Sequence, residues 1–327
     1  MSRAAISRAT NEANPERAVR VSRPPANGKD VIATIAPDTA APGRGKRKAA
    51  ARQAKAPPIA ARMDRHRLYE LSVQSVDAEI DFVDETYFDL RGRRAKVLRE
   101  DFCGTANTSC EWVRRRPSNI AIGVDLDPEV LAWGRGNRVS KLKPAARSRV
   151  NLVQHDVMTV KTEPLDVVLA MNFSYWLFMS RERLRDYFCS VREHLAPGGV
   201  FFLDCYGGYE SCQEIRDKRE IKARGPWGKG FTYIWDQSWF DPISSQMVCH
   251  IHFKFEDGSK LNRAFSYRWR LWTLPEIREV LAEAGFARST VYWEGWDEDE
   301  NEGDGDFQPA DVGEADPAWI CYVVAEK

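Results

Sequence analysis

Five polar side chains stand where five apolar runs stop: Glu100 after "KVLR", Asp125 after "IAIGV", Asp156 after "VNLVQH", Asn172 after "LDVVLAM" and Asp204 after "GVFFL". An acid at a strand end suits binding, because it offers charge-assisted hydrogen bonds to an ammonium or to hydroxyls. The stretch "KVLREDFCGTANTS" (residues 96–109) adds a turn at Gly104, where the missing Cβ lets a ligand come close to the backbone. Strand, turn and helix in that order are the layout of a nucleotide-binding loop, yet Phe102 and Ala106 occupy positions where further glycines are usual. Arg99 falls on the same apolar run. On a buried strand it needs a carboxylate partner, and Glu100 and Asp101 are the candidates.

The elements that must carry these groups can be read from periodicity. "LYELSVQSVDAEIDFVDETYFDLRG" predicts a helix, with Val76, Ile80, Phe82, Val83 and Tyr87 near three-to-four spacing. From "AKVL" onward, short apolar strands alternate with helices, among them "DPEVLAWGRGN" with Asp127 as N-cap and Pro128 in its first turn. This rhythm indicates βαβ units and a parallel sheet buried on both faces, with ligands at the carboxyl ends of its strands. After the fifth strand, "FTYIWDQSWFD", "SQMVCHIHFKFEDGSK" and "NRAFSYRWRLWT" alternate with period two, and an "EDGSK" turn joins the last two. They predict an antiparallel insertion at about 229–272. The helix "LPEIREVLAEAGF" ends at Gly285, and two last strands flank an acidic loop at about 294–316.

Composition narrows the function. Net charge is formally zero, but residues 1–62 hold thirteen Lys/Arg against four Asp/Glu, and residues 294–316 hold eleven Asp/Glu and no Lys/Arg. The first segment, without an aromatic residue, cannot bury enough apolar surface to offset its ordering entropy. Residues 1–62 are therefore expected to be a disordered basic tail, either simply solvated or a contact for nucleic acid, and 63–327 the folded domain. No run approaches the roughly 20 apolar residues of a membrane span, so a cytoplasmic protein is expected. Seven cysteines without a CxxC pair, and five histidines without ligand spacing, predict buried thiols and no metal site.

In order and spacing, residues 66–327 resemble the class I S-adenosylmethionine-dependent methyltransferases. "VLREDFCGTA" is similar to the family's first motif, "IGVDLDPEVLAWGR" to its second, and "HLAPGGVFFLDCYGG" to its helix, glycine turn and fifth strand. The resemblance implies an α/β fold: a Rossmann-like, seven-stranded, mostly parallel sheet with helices on both faces and an antiparallel β insertion after the fifth strand. It implies S-adenosylmethionine as cofactor. Glu100 would lie near the methionine ammonium, the Gly104–Thr105 backbone along the cofactor, and Asp125, followed by Leu126, at the ribose hydroxyls. Asp156 and Val157 would meet the adenine, and Tyr69 would cover the methionine end. Taken alone, the Asp125 motif also fits a dinucleotide-binding protein; the missing glycines and the downstream elements count against that.

Asn172, in "NFSY", stands where some amine and amide methyltransferases carry Asn-Pro-Pro-Tyr. It and Tyr175 are candidates at the transfer site. Alternation places Phe265, Tyr267 and Trp269 on one face of the insertion and Arg268 and Arg270 on the other. The arginines could grip an acceptor carboxylate, and His250 or His252 could act as a base if they face the cleft. The expected activity is methyl transfer to a small amine- or carboxylate-bearing acceptor by in-line displacement. The alternatives are a nucleic-acid or protein methyltransferase recruited by the tail, or an inactive cofactor-binding protein.

Overall fold

The computed structural model describes residues 57–297 and 302–327, so most of the predicted basic tail lies outside the described residues. Two helices come first, α1 (Arg65–Val73) and α2 (Val76–Arg91). One continuous helix was the expectation. Instead the chain is extended at Gln74, whose side chain accepts a hydrogen bond from Asn107 at 3.0 Å. Asp64 starts α1 by accepting from the His66 and Arg67 N–H groups. α2 buries Ile80, Val83 and Tyr87 at helical spacing, and Gly92, at φ +63°, closes it with a bond to the Phe88 carbonyl.

The parallel part of the main sheet alternates with helices as the periodicity predicts. In chain order it comprises β1 (Val97–Asp101), α3 (Asn107–Arg115), β2 (Ile120–Asp125), α4 (Pro128–Asn137), the short α5 (Pro144–Arg147), β3 (Val150–Gln154), β4 (Leu165–Ala170), α6 (Arg181–His194) and β5 (Leu195–Gly207). β6 (Arg216–Ile221), β7 (Phe231–Asp241), β8 (Gln246–Lys254) and β9 (Lys260–Arg270) form a separate antiparallel sheet in that order. The chain then returns through α7 (Leu274–Glu283), β10 (Arg288–Asp297), β11 (Glu302–Pro309) and β12 (Trp319–Glu326).

The main sheet runs β11-β10-β12-β5-β4-β1-β2-β3, with β3, β2, β1, β4 and β5 parallel and the rest antiparallel. The seven expected strands are present, and an eighth, β11, is added at one edge. It comes from the segment expected to be an acidic loop. Phe307 explains the difference: its ring meets Tyr322 at 4.5 Å and Phe82 at 5.9 Å, an apolar anchor inside an otherwise charged stretch. The insertion also begins earlier than expected, because β6 pairs with β7 from Arg216 onward.

At the end of β1, Arg99 and Asp101 form a fully buried ion pair with N–O distances of 2.8–3.0 Å, and the Tyr187 hydroxyl donates to Asp101 at 2.9 Å. Asp101, not Glu100, is thus the partner that Arg99 required, which leaves Glu100 available at the sheet's carboxyl edge.

Candidate active site

A cleft of about 360 Å³ opens at the carboxyl ends of β1, β2 and β4. Tyr69 from α1, Glu100, Gly104 and Thr105 from β1 and its loop, Asp125 from β2 and Asn172 after β4 all line it. Six residues singled out in the sequence therefore meet in one place. Arg65, His66 and Gln74 of the α1 region, together with Phe265, Tyr267 and Trp269 of β9, complete the wall.

The loop after β1 achieves with one glycine a shape that normally uses several. Phe102 (φ +56°), Gly104 (+50°) and Ala106 (+59°) are all left-handed, a conformation that costs a residue with a Cβ about 1–2 kcal/mol. One local bond and two bonds to the end of β2 hold them there: Ala106 N–H to Cys103 O at 2.8 Å, Cys103 N–H to Val124 O at 3.0 Å and Gly104 N–H to Asp125 Oδ2 at 2.8 Å. The Phe102 ring adds packing, 5.6 Å from Tyr187 and 6.2 Å from Phe178. A Cβ placed on Gly104 would meet nothing within 4 Å, so the backbone there faces open space. By contrast, a Cβ on Gly134 of α4 would lie 2.6 Å from the Thr105 carbonyl, so α4 needs that glycine to sit under the loop.

The two carboxylates are held differently. Glu100 Oε2 accepts from both the Ser109 N–H (2.8 Å) and the Ser109 hydroxyl (2.5 Å). Burial nevertheless pushes its carboxyl up to about 7, with the Ser109 bonds opposing the shift. No described Lys or Arg forms an ion pair with it. Asp125 uses one oxygen for Gly104 N–H and the other for Asp127 N–H (2.9 Å); burial raises its carboxyl too. Each oxygen retains a lone pair. At the far side, Asp204 accepts the Asn172 and Phe173 N–H groups at 2.7 and 2.9 Å, fixing the left-handed pair Asn172 (φ +58°) and Phe173 (+55°) that turns Asn172 into the cleft wall.

Several expected site residues lie elsewhere. Tyr175 is fully buried and donates to the Asp204 carbonyl at 2.7 Å, a packing role. Asp156 Oδ1 accepts the Met158 N–H at 2.8 Å as a turn residue, Val157 is buried in the core, and Leu126 is 54 % exposed; none of the three lines the cleft. His250, His252 and Arg268 are on the wrong face. Register sets Tyr267 beside Cys249, Trp269 beside Met247 and Phe265 beside Ile251 on the inner side, while His250 faces Ser266 and Arg268 faces Val248 on the other. His252 is occupied by Asp236 at 3.1 Å, Arg268 by Gln246 at 3.0 Å and Arg270 by Glu276 at 3.0 Å. The cleft therefore receives the aromatic face, with Tyr267 and Trp269 stacked at 4.4 Å and Tyr69 5.0 Å from Phe265. His66 was missed in the sequence; its three-residue spacing from Tyr69 on one helix is the signal that would have found it.

Residues 102–199 match a family described as "Methyltransferase domain". Among solved structures, the fold is similar to a SAM-dependent methyltransferase from Clostridium acetobutylicum ATCC 824 (TM-score 0.57, 16 % identity, 80 % of this chain and 96 % of that one). It is similar also to SAM-bound CalS10, an amino pentose methyltransferase from Micromonospora echinaspora (0.58, 18 %, 80 % and 95 %). A third is the sugar N-methyltransferase KedS8 from Streptoalloteichus sp ATCC 53650 (0.55, 17 %, 87 % and 99 %). Curated protein sequences yield no match. At these identities the structural likeness shows the fold, and the domain match concerns residues 102–199. Residues 102–199 thus match a methyltransferase domain, set in a fold shared with solved S-adenosylmethionine-dependent methyltransferases.

Proposed function

We propose that the protein methylates the nitrogen of a small amine-bearing acceptor held between the cofactor loop and the aromatic face of β9. One observation carries this reading: Tyr69, Glu100, Gly104, Asp125 and Asn172 converge from separate elements on a cleft whose other wall is Phe265, Tyr267 and Trp269. Two of the similar folds belong to proteins described as an amino pentose methyltransferase and a sugar N-methyltransferase, which favours an amine. A carboxylate grip by Arg268 and Arg270 loses its basis, since both lie on the face away from the aromatic wall.

Bound there, S-adenosylmethionine supplies an electrophilic methyl group on sulfur. Glu100 receives the methionine ammonium, the open Gly104–Thr105 backbone runs beside it, Asp125 accepts the ribose hydroxyls and Tyr69 roofs the methionine end. The aromatic wall would orient the acceptor nitrogen toward that methyl group, so that an N–C bond would form as the C–S bond breaks, leaving the thioether, and the nitrogen's proton would pass to solvent water. Alignment and exclusion of water supply the rate enhancement, so the displacement of His250 and His252 from the cleft is no obstacle. A screen of small amines with cofactor labelled in its methyl group tests the reading. Label transferred to an amine nitrogen supports it; transfer only to RNA, DNA or protein would sink it.

A further inference from the structure

Next to Tyr69, Glu70 does not line the cleft, yet its carboxylate joins the loop after β1 to the end of α4. Its carboxylate is buried, only 2 % exposed. Oε1 accepts from the Thr105 hydroxyl at 3.0 Å and from Arg138 Nε at 2.7 Å, Oε2 pairs with Arg138 Nη2, and Arg67 stands at 3.5 Å. Arg138 caps the end of α4, the helix whose Gly134 underlies Thr105. Two further bonds tie the ends of α1 to the same side: Trp133 Nε1 donates to Asp64, and Asn107 donates to Gln74. The helix carrying Tyr69 and the loop carrying Gly104 and Thr105 are thus joined through one carboxylate.

We propose that Glu70 is a positioning residue for methyl transfer, locking the α1 roof and the cofactor loop together so that Tyr69 and Thr105 move as one body. The role rests on the cofactor-site reading above. A planar guanidinium fork fixes register as well as distance, which an apolar contact would not. Thr105 then adopts its place in the loop only when α1 is seated. The lock also predicts that cofactor binding and α1 docking stabilise each other, since each orders groups the other uses.

The test uses the full chain and its Glu70→Gln and Arg138→Met variants, with calorimetric titration of S-adenosylmethionine and amide hydrogen exchange without ligand. Each variant is expected to bind the cofactor about ten-fold more weakly, and the double variant no more weakly than the worse single one. Exchange should rise together in residues 66–73 and 104–107 and stay unchanged in β4 and β5. A purely structural role predicts a lower melting temperature with unaltered affinity, or faster exchange throughout, and either result overturns the proposal. Should Glu70→Gln fail to fold, Thr105→Val removes a single hydroxyl and must still speed exchange in residues 66–73. Unaltered protein that does not bind the cofactor would overturn the site reading and this role with it; binding that the variants leave unchanged overturns this role alone.

Discussion

The two walls of the cleft are built on different physics. The wall proposed for the cofactor is main chain and buried charge: a loop with three left-handed residues, Glu100 on Ser109, Asp125 on Gly104, and the Arg99–Asp101 pair beneath. The wall proposed for the acceptor is ring packing, with Phe265, Tyr267 and Trp269 presented by an antiparallel sheet. Buried charges must be satisfied one bond at a time, so the first wall has little freedom to vary. Apolar contact is non-directional, so the second can change shape while keeping its fold. The difference suggests how one cofactor site can serve different acceptors.

Substitutions separate the two walls. The largest effect should come from Asp101→Ala, which strands Arg99 in the core and should cost about 3–5 kcal/mol, read as a fall in the urea midpoint. Next is Glu100→Gln, expected to weaken cofactor binding by about 1–3 kcal/mol through loss of a charge-linked hydrogen bond. The same change should stabilise the free protein at pH 8. Folding raises this buried carboxyl from its ordinary 4.5 to about 7, so the folded chain retains a proton that the unfolded chain releases. Stability therefore falls as pH rises between those values and stays lower above them, by about 1–3 kcal/mol. Affinity for the cationic cofactor should run the other way, rising from pH 6 to 7.5 as Glu100 ionises. A melting temperature at pH 8 that Glu100→Gln lowers would contradict this account of the carboxylate.

Tyr267→Leu removes the stacked partner of Trp269. It should raise the acceptor KM by about 0.5–1.5 kcal/mol while leaving cofactor affinity unchanged; a parallel loss of both would erase the distinction between the walls. Smallest of all, Arg268→Ala on the outer face should alter stability and both affinities by less than about 0.5 kcal/mol. An acceptor that binds much more weakly to it would return the arginine face to the cleft.

The first wall was legible in the sequence because strand ends in a parallel sheet fall at fixed positions. Glu100, Asp125 and Asn172 could be placed from the apolar runs that precede them. The same logic overreached at Asp156, whose carboxylate closes its own turn. The second wall was half legible: period two sorted Tyr267 from Arg268, but it does not say which face turns inward, and that depends on what the sheet packs against. Phe102 and Ala106 looked like departures from a glycine loop, yet both keep the backbone shape glycine would take, because hydrogen bonds distant in sequence enforce it. The acidic segment misled because Phe307 packs on Tyr322 and Phe82 despite the charges around it.

The central claim is that Glu100 anchors the cofactor while the aromatic wall does not. Calorimetric titration of S-adenosylmethionine into the full chain, Glu100→Gln and Tyr267→Leu at pH 7.5 tests it most directly. The account predicts about one bound cofactor per chain, affinity reduced roughly ten-fold or more in Glu100→Gln and unchanged in Tyr267→Leu. Equal affinity in all three proteins, or a loss confined to Tyr267→Leu, would contradict it.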